Sequence, residues 1–401
     1  MSNLLGRGRS LPEIELINMG TTGGAAQVAK RLNNNLKNLG VKSNLRFLNE
    51  SASFGSKMLY RVGSKIDFEI QKTQPFITTN TFWSGVGGSQ LLLNEINKIP
   101  KDKILHFHWV PGIFSHELLE GLIDRKLVIT LHDMRYMTGY CHHSGACNGF
   151  KGSCKDCPQA PAILHSKIAN SFLEYSTRLE QIKQIRLIAP SEWILDLAEV
   201  ARPARNLQIF QIYNPIPEDI FNIDLRETKE SISNILKICL YGSANISKGG
   251  REALSIIKRI SHQLNFTIEV YVLGRKHLGF EELIQIEVEE IDNEIEFASF
   301  LCKMDVLMHL SLAENSPNII REAQAAGVAV VASNVGGTSE LILNDSTGLV
   351  LPKSDSDIVE FFVTINSKSV VKERFKVPKN RPELTSEFIM SQHLKVYESF
   401  T

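Results

Sequence analysis

The sequence predicts an α/β protein of two similar domains, each a parallel sheet covered by helices. Three observations support this fold class. Short apolar runs alternate with segments of helical period along the chain, a pattern typical of strands covered by helices. The second half repeats the pattern of the first after a polar interruption that contains prolines. The length of 401 residues and the hydrophobic content of 43% suffice for two buried cores.

The apolar runs give the strands of each half in order. In the first half the predicted strands are Ile14 to Asn18, Asn44 to Leu48, Ile104 to Trp109, Leu127 to Leu131, Arg186 to Ala189 and Leu207 to Tyr213. In the second half they are Ile235 to Tyr241, Thr267 to Leu273, Val306 to Leu310, Ala329 to Ala332 and Gly348 to Leu351. Segments of helical period lie between them, which indicates that each half repeats one design.

The boundary between the domains is expected near Pro217, where "YNPIPEDIF" is followed by the charged run "NIDLRETKESISN". The predicted domains are therefore residues 1–217 and 218–385. The terminal segment, residues 386–401, has apolar residues spaced as on a helix. It is expected to form a closing helix that packs on one half or bridges both; its apolar positions are Phe388, Ile389, Leu394 and Tyr397.

The net charge of zero conceals an asymmetry between the halves. Residues 1–215 carry 25 Lys and Arg against 17 Asp and Glu, and residues 216–401 carry 19 against 27, so the halves are +8 and −8. A basic first half suits an anionic membrane surface or a phosphorylated substrate, or it is an ordinary solvated surface attracted to the acidic half. Nucleic acid is not expected, because the basic residues are scattered without interleaved aromatics.

Targeting signals are not evident in the sequence. The first twenty residues contain no apolar core of signal-peptide length. No later run approaches the roughly 18 apolar residues that a membrane span needs. A cytoplasmic protein is expected.

The first strand leads into "NMGTTGGAAQVAKRLNNNLKNLG", a glycine turn followed by a helix that ends at Gly40. Gly23 and Gly24 stand where backbone amides at a helix start can approach a phosphate. Tight packing is the alternative reason for glycine at these positions.

The second half repeats this arrangement, because the strand in "ILKICLYGSA" is followed by "NISKGGREALSII". Lys248 lies where the turn meets the helix and can meet an oxyanion as a point charge. A surface lysine that begins a helix is the alternative.

The stretch "AENSPNIIREAQAAG" predicts a helix that starts at Pro317, with Ser316 as its N-cap and Gly327 as its left-handed C-terminal residue. The amides and the partial positive charge at its start favour a diphosphate. Glu314, in the preceding loop, can also be a simple partner of the helix start.

Two carboxylates eight positions apart, Glu314 and Glu322, are better explained by a sugar nucleotide. Glu314 in the loop can bind the sugar, and Glu322 inside the helix can reach the ribose hydroxyls. An ionised carboxylate only accepts hydrogen bonds and can take two hydroxyl protons at once.

The spacing E-x7-E, followed by "AAGVAVVASNVGGTSELI" and "STGLVLP", resembles the second domain of retaining GT-B glycosyltransferases of glycosyltransferase family four. The first half adds "HFHWVPG", "ITLHDMRYMTGYCHHSGACNGFKGSCKDCPQ", "LIAPSEWILDLA" and "IYNPIP". These motifs are similar to the branch of that family that assembles bacterial exopolysaccharide, including colanic-acid-type enzymes. The resemblance covers most of the chain and is weakest over residues 45–100.

The resemblance implies a GT-B fold, with two Rossmann-like domains facing across a cleft: an acceptor-side first domain and a nucleotide-sugar-binding second domain. It implies catalytic roles for Glu314, His132 and Lys248. The implied donor-binding residues are Gly23, Gly24, Gly242, Ser243, Lys248, Arg275, Glu314, Asn315, Ser316, Pro317, Asn318, Ile319 and Glu322. Ser243 stands where many members of the family have arginine, so the leaving phosphate would depend more on Lys248, the helix amides and Arg275.

The implied reaction moves a sugar from a UDP- or GDP-linked donor to a saccharide or polyprenyl-linked acceptor, with retention of configuration, at the inner leaflet of the membrane. No catalytic cofactor is expected, because a lysine and the amides of a helix start can stabilise the leaving phosphate without a metal ion. The alternatives are a sugar-nucleotide epimerase, a phosphorylase, and a non-catalytic subunit that binds a sugar nucleotide or saccharide.

Four of the six cysteines fall in one loop, with the spacing C-x5-C-x6-C-x2-C: Cys141, Cys147, Cys154 and Cys157. In a reducing compartment this spacing favours a structural zinc with no open position for water. Free or redox-labile thiols and two disulfides are the alternatives.

Overall fold

Two sheets of six parallel strands organise the protein. The computed structural model describes residues 12–51, 93–110, 116–139, 141–217, 234–242, 246–289, 291–343, 345–367 and 378–400. The strands are β1 Ile14–Asn18, β2 Ser43–Phe47, β3 Ile104–Phe107, β4 Lys126–Thr130, β5 Ile185–Ala189, β6 Gln208–Gln211, β7 Ile235–Tyr241, β8 Thr267–Leu273, β9 Ile284–Val288, β10 Val306–His309, β11 Ala329–Ser333 and β12 Gly348–Leu351.

Helices follow most of these strands. They are α1 Gly24–Asn38, α2 Leu48–Ser51, α3 His116–Glu120, α4 His165–Leu179, α5 Glu192–Val200, α6 Gly250–Ile260, α7 Glu294–Leu301, α8 Asn318–Ala325, α9 Asp355–Asn366 and α10 Ser386–Glu398. Among the residues described, no helix is both long enough and apolar enough to cross a membrane.

All eleven predicted strands are present, and β1, β7, β8 and β12 have the predicted bounds. The others differ by one or two residues at one end or at both ends. The prediction missed β9, which lies at the edge of the second sheet beside β8, its one partner strand among the residues described. Its sequence "IQIEV" alternates apolar and polar residues and is partly exposed, so it lacks the continuous apolar run of a strand buried on both faces.

The strand orders are β2-β1-β3-β4-β5-β6 in the first sheet and β12-β11-β10-β7-β8-β9 in the second. In each sheet the connections reverse direction at one point, between β1 and β3 and between β7 and β10. Ligands of open parallel sheets bind at such reversal points, beyond the carboxyl ends of the strands.

The chain divides into two compact units, Met1–Pro215 with Glu387–Thr401, and Ile216–Ser386. The terminal helix α10 therefore belongs to the first unit. Its Tyr397 is fully buried, and the Arg186 guanidinium lies 4.9 Å from the ring centre of Phe400, just beyond the helix. Phe388, predicted on the apolar face, is instead 39% exposed.

The predicted start of the helix α8 at Pro317 is wrong by one residue. It begins at Asn318, and Pro317 is its N-cap, with an extended ψ of 112° and no hydrogen bond from its side chain. Ser316 is therefore not the N-cap, because the chain enters helical geometry only after the proline. The predicted end is confirmed, since Gly327 has a left-handed φ of 73°.

Candidate active site

In the second unit, the turn after β7 and the loop after β10 meet at the point where the strand order reverses. Lys248 ends a short 3-10 turn, Ile246–Lys248, and Glu314 lies in the loop that leads from β10 to α8. The backbone oxygen of Ser247 joins the two segments. It accepts hydrogen bonds from Ser311 Oγ at 2.9 Å and from Leu312 N at 2.8 Å.

Two glycines allow these segments to approach so closely. Gly249 has a φ of +71°, and a Cβ there would lie 1.7 Å from the Leu310 oxygen. Gly336, in the turn after β11, has a φ of +55°, and a Cβ there would lie 1.7 Å from the Glu314 oxygen. Only glycine fits both the left-handed backbone and the close contact. Neither position was predicted from the sequence.

Lys248, Glu314 and His309 form a hydrogen-bonded group, which we call the Glu314 triad. Glu314 Oε1 accepts from Lys248 Nζ and, at 3.1 Å, from His309 Nε2. The His309 side chain is 1% exposed and that of Glu314 12%, whereas Lys248 is 28% exposed and borders solvent. The structure therefore brings together Lys248 and Glu314, two residues that were both predicted to act on the donor. His309 was missed, because a histidine in an apolar strand gives no signal by itself.

Glu314 is ionised in this environment. Burial by itself would raise the pKa of its carboxyl group. The hydrogen bond from His309 and the charge of Lys248 outweigh this and lower that pKa to about 2. The group thus presents an anion and a cation side by side at neutral pH.

The other residues predicted to bind a donor lie on neighbouring segments of the second unit. Arg275 follows β8 with an exposed side chain, and its backbone oxygen would lie 2.5 Å from a Cβ at Gly242. Asn315 is buried, and its backbone oxygen accepts a hydrogen bond from Gly337 N at 3.0 Å. Ile319 and Glu322 are both buried in α8. Ser243 lies outside the described residues.

The first unit carries the remaining predicted residues. Gly23 has a φ of +90° and is the N-cap of α1, which begins at Gly24, and both glycines are exposed. This turn follows β1, and His132 lies just after β4. The structure thus places Gly23, Gly24 and His132 at the carboxyl edge of the first sheet.

The hydrogen bonds of Asp133 are to groups other than the ring of its sequence neighbour His132. Asp133 Oδ2 instead lies 2.6 Å from His142 Nδ1, and Asp133 Oδ1 accepts from Arg135 N at 2.8 Å. The Nε2 atom of His132 lies 2.9 Å from Nδ1 of the buried His108. Burial lowers the pKa of His132 to about 4, so this imidazole is neutral at pH 7.

The four cysteines of the loop lie in the first unit with free thiols, three of them buried. Backbone amides donate to the sulfurs, among them Gly139 N to Cys154 Sγ at 3.2 Å and Gly149 N to Cys147 Sγ at 3.4 Å. Burial raises the pKa of Cys141 to about 12 and that of Cys154 to about 11. Within the described ranges, no three His, Cys, Asp or Glu side chains are grouped as metal ligands.

The structural zinc therefore stays a prediction that a metal analysis can test. We expect about one zinc per chain in protein purified without a chelating tag, because four thiolates fill a tetrahedral zinc site. Elemental mass spectrometry should show zinc in the wild type and in Cys239→Ser, which alters an isolated buried cysteine. Zinc should be lost in Cys154→Ser. A wild-type protein with no zinc and four reactive thiols, or with two disulfides by mass, would reject the zinc.

Comparison with known proteins identifies relatives of this chain. Residues 236–365 match the family described as "Glycosyl transferases group 1". The putative colanic acid biosynthesis glycosyl transferase WcaC of Escherichia coli strain K12 is 22% identical over 276 residues. This alignment spans 64% of the present chain and 66% of that relative.

Solved structures share the fold over nearly the whole chain. A glycosyltransferase from Rickettsia africae ESF-5 superposes with a TM-score of 0.59 at 16% identity, covering 98% of this chain and 99% of that one. Anabaena Alr3699/HepE in complex with UDP gives a TM-score of 0.53 at 13% identity, covering 97% and 100%. These matches confirm the predicted GT-B fold class.

Proposed function

Because this chain carries a domain of the glycosyl transferases group 1 family at residues 236–365, we propose that it moves a sugar from a nucleotide sugar to a saccharide acceptor. One observation carries the proposal. The ammonium of Lys248 and the carboxylate of Glu314 meet at the β7/β10 reversal point of that domain. This is the edge at which open parallel sheets bind nucleotides.

Lys248 supplies positive charge for the diphosphate. An ammonium has three N–H donors, of which Glu314 Oε1 takes one, so two remain for phosphate oxygens. Negative charge grows on the leaving phosphate as its bond to the anomeric carbon breaks. A fixed donor at that position stabilises the transition state more than the ground state. The start of α8, where the N-cap Pro317 gives no side-chain hydrogen bond, adds a partial positive charge.

Glu314 binds the sugar. Its Oε1 is occupied by Lys248 and His309, while no described residue donates to Oε2. An ionised carboxylate accepts hydrogen bonds only, so Oε2 suits the hydroxyl groups of the donor sugar. Glu322 in α8 is the proposed partner of the ribose hydroxyls. Gly23 and Gly24 stay predicted phosphate-binding residues of the first unit.

The finer features of the proposal come from the resemblance of the sequence motifs. We propose a UDP- or GDP-linked donor, a polyprenyl-linked saccharide acceptor at the inner membrane surface, and a role in surface polysaccharide assembly. The relative WcaC supports this setting, since its name concerns colanic acid biosynthesis. His132 is the proposed hydrogen-bonding group for the reacting saccharide.

A thermal-shift panel of UDP-, GDP- and ADP-sugars tests donor binding. A ligand at 100 times its dissociation constant adds about 2.7 kcal/mol to the apparent stability. For a unit of this size we expect a rise in melting temperature of about 5 to 10 °C with the correct donor. Free sugars without a nucleotide should give none. No shift with any sugar nucleotide would contradict the proposal.

Retention of configuration is tested on the product. We expect transfer to polyprenyl-linked acceptors without added divalent cation, and an anomeric configuration equal to that of the donor, read by the proton coupling of the new glycosidic bond. An inverted product would refute the retaining mechanism. Product formation that depends on free phosphate would instead indicate a phosphorylase.

A further inference from the structure

His108 and His106 are buried histidines at the end of β3 that the proposed reaction does not use directly. Both are completely buried, and they are two positions apart, so their side chains share one face of the sheet. Their rings stack with centroids 4.5 Å apart, and the ring of His132 stacks on His108 at 5.2 Å. Three imidazoles thus form a chain that ends at His132.

The ring of His106 is fixed at both nitrogens. Its Nε2 lies 2.8 Å from Thr130 Oγ1, and its Nδ1 lies 2.8 Å from the hydroxyl of Tyr397 in α10. Hydroxyl groups act as donor or acceptor, so either neutral form of this ring is satisfied. Its ring therefore supports His108 from one side without fixing where the protons lie.

The backbone around His108 is also held in place. Its nitrogen donates to Ile17 O at 2.9 Å, and its oxygen accepts from the Tyr136 hydroxyl at 2.9 Å. The next residue, Trp109, donates its N–H to Asn18 Oδ1 at 2.8 Å. Because this segment is held in place, the ring of His108 can fix the orientation of the His132 ring that it contacts.

The contact between His108 Nδ1 and His132 Nε2 holds a single proton, because both rings are neutral. Burial keeps the pKa of His108 well below its ordinary value, and neighbouring histidines lower it further. If His132 donated this proton, His108 would carry its own on Nε2. That atom is buried and has no partner in the described part of the chain. In the reverse arrangement the same atom is an acceptor without a donor. A buried N–H without an acceptor is rarer in proteins than an unsatisfied acceptor, so the form with the proton on Nε2 of His108 is disfavoured.

We propose that His108 is a positioning residue that donates its Nδ1 proton to His132 Nε2 and thereby holds His132 in the form protonated on Nδ1. The orphaned Nε2 of His108 and the 2.9 Å contact carry this assignment. His132 then meets the saccharide as a neutral hydrogen-bond donor and does not act as a general base. The consequence for catalysis rests on the proposed function, whereas the position of the proton does not.

Nitrogen NMR of the full-length protein with ¹⁵N-labelled histidine tests the assignment. The imidazole shifts distinguish the Nδ1–H and Nε2–H forms, and the signals of His132 are those absent from His132→Gln. We expect the Nδ1–H form at pH 7. A His132 protonated on Nε2 would overturn the inference, whether or not the protein transfers a sugar.

Two variants of His108 whose new side chains are nearly isosteric with each other distinguish a positioning role of this residue from a role in packing alone. In His108→Asn the amide can still donate to His132 Nε2, and we expect the Nδ1–H form and a kcat within about threefold of wild type. In His108→Asp the side chain can only accept, so His132 should change to the Nε2–H form. We expect kcat to fall by about 10²-fold or more, since removing one fixed hydrogen-bond donor from an active site costs about 10² to 10³ in kcat.

The melting temperature controls for misfolding in both variants. Equal activity and an unchanged His132 form in a folded His108→Asp protein would overturn the positioning role. If the donor panel shows no transfer at all, the NMR result still decides the proton position, so failure of the proposed function is distinguishable from failure of this inference.

Discussion

Replacement of Lys248 by alanine is expected to lower kcat for sugar transfer by about 10² to 10³, the usual cost of removing one fixed donor from a developing negative charge. The expected cause is the loss of the ammonium beside Glu314, the charge that we assign to the leaving phosphate. The apparent affinity for the intact donor should change less than kcat, because the negative charge on the phosphate is greatest in the transition state. Release of nucleoside diphosphate from the best donor gives the measurement.

Two control variants make this result specific. Lys248→Arg keeps a positive charge, and we expect it to recover part of the lost activity, although a guanidinium does not reproduce ammonium geometry. Lys258 is a matched control because it also pairs with a glutamate, Glu282, but is 54% exposed on the surface of the same unit. Lys258→Ala should leave kcat unchanged. Full activity in Lys248→Ala would exclude Lys248 from the reaction.

Replacement of Glu314 by glutamine should impair both activity and stability. The neutral amide keeps the size of the side chain but removes the anion that accepts from Lys248 and His309. We expect kcat to fall by about 10²-fold, because both the contact to the sugar and the placement of Lys248 are disturbed. Glu282→Gln, which removes an exposed carboxylate paired with Lys258, should retain activity.

The effect of Glu314→Gln on stability should depend on pH in a defined direction. The folded pKa of about 2 lies below the ordinary value of 4.5, so the stabilisation is fully present above about 4.5. It is lost as pH falls from there towards 2. The difference between the two values corresponds to about 3 kcal/mol at pH 7. The gap in unfolding free energy between wild type and variant should therefore be widest at neutral pH.

The unfolding free energy of wild type and Glu314→Gln must be measured with a probe that follows the second unit, which contains Glu314. All three tryptophans precede residue 216, so intrinsic fluorescence follows the first unit. Hydrogen exchange of the β7 and β10 amides reports the opening of the strands that carry the Glu314 triad. Equal protection of these amides in wild type and Glu314→Gln at pH 7 would contradict the predicted stabilisation.

Local patterns predicted much of the fold and part of the candidate site. The apolar runs gave eleven strands because continuous burial on both faces requires apolar side chains along a strand. The left-handed Gly327 followed from the rule for helix ends. The helix α8 begins one residue later than predicted, because the backbone of Pro317 is extended. Lys248 and Glu314 were singled out as candidates because each lies shortly before a helix, where the sequence carries recognisable signals.

The sequence by itself determined the parallel α/β class, and it indicated Lys248 and Glu314 as candidate residues after two strands of the second sheet. Both inferences were possible because the period of a strand and the capping of a helix are encoded within a few neighbouring positions. Only the tertiary structure decided that His309 bonds to Glu314 and that His108 bonds to His132. It also joined His106 to Tyr397 across 291 positions of the chain. The sequence does not reveal the hydrogen-bond partners of a buried histidine. Packing between elements that are distant in the sequence decides which group faces the imidazole ring.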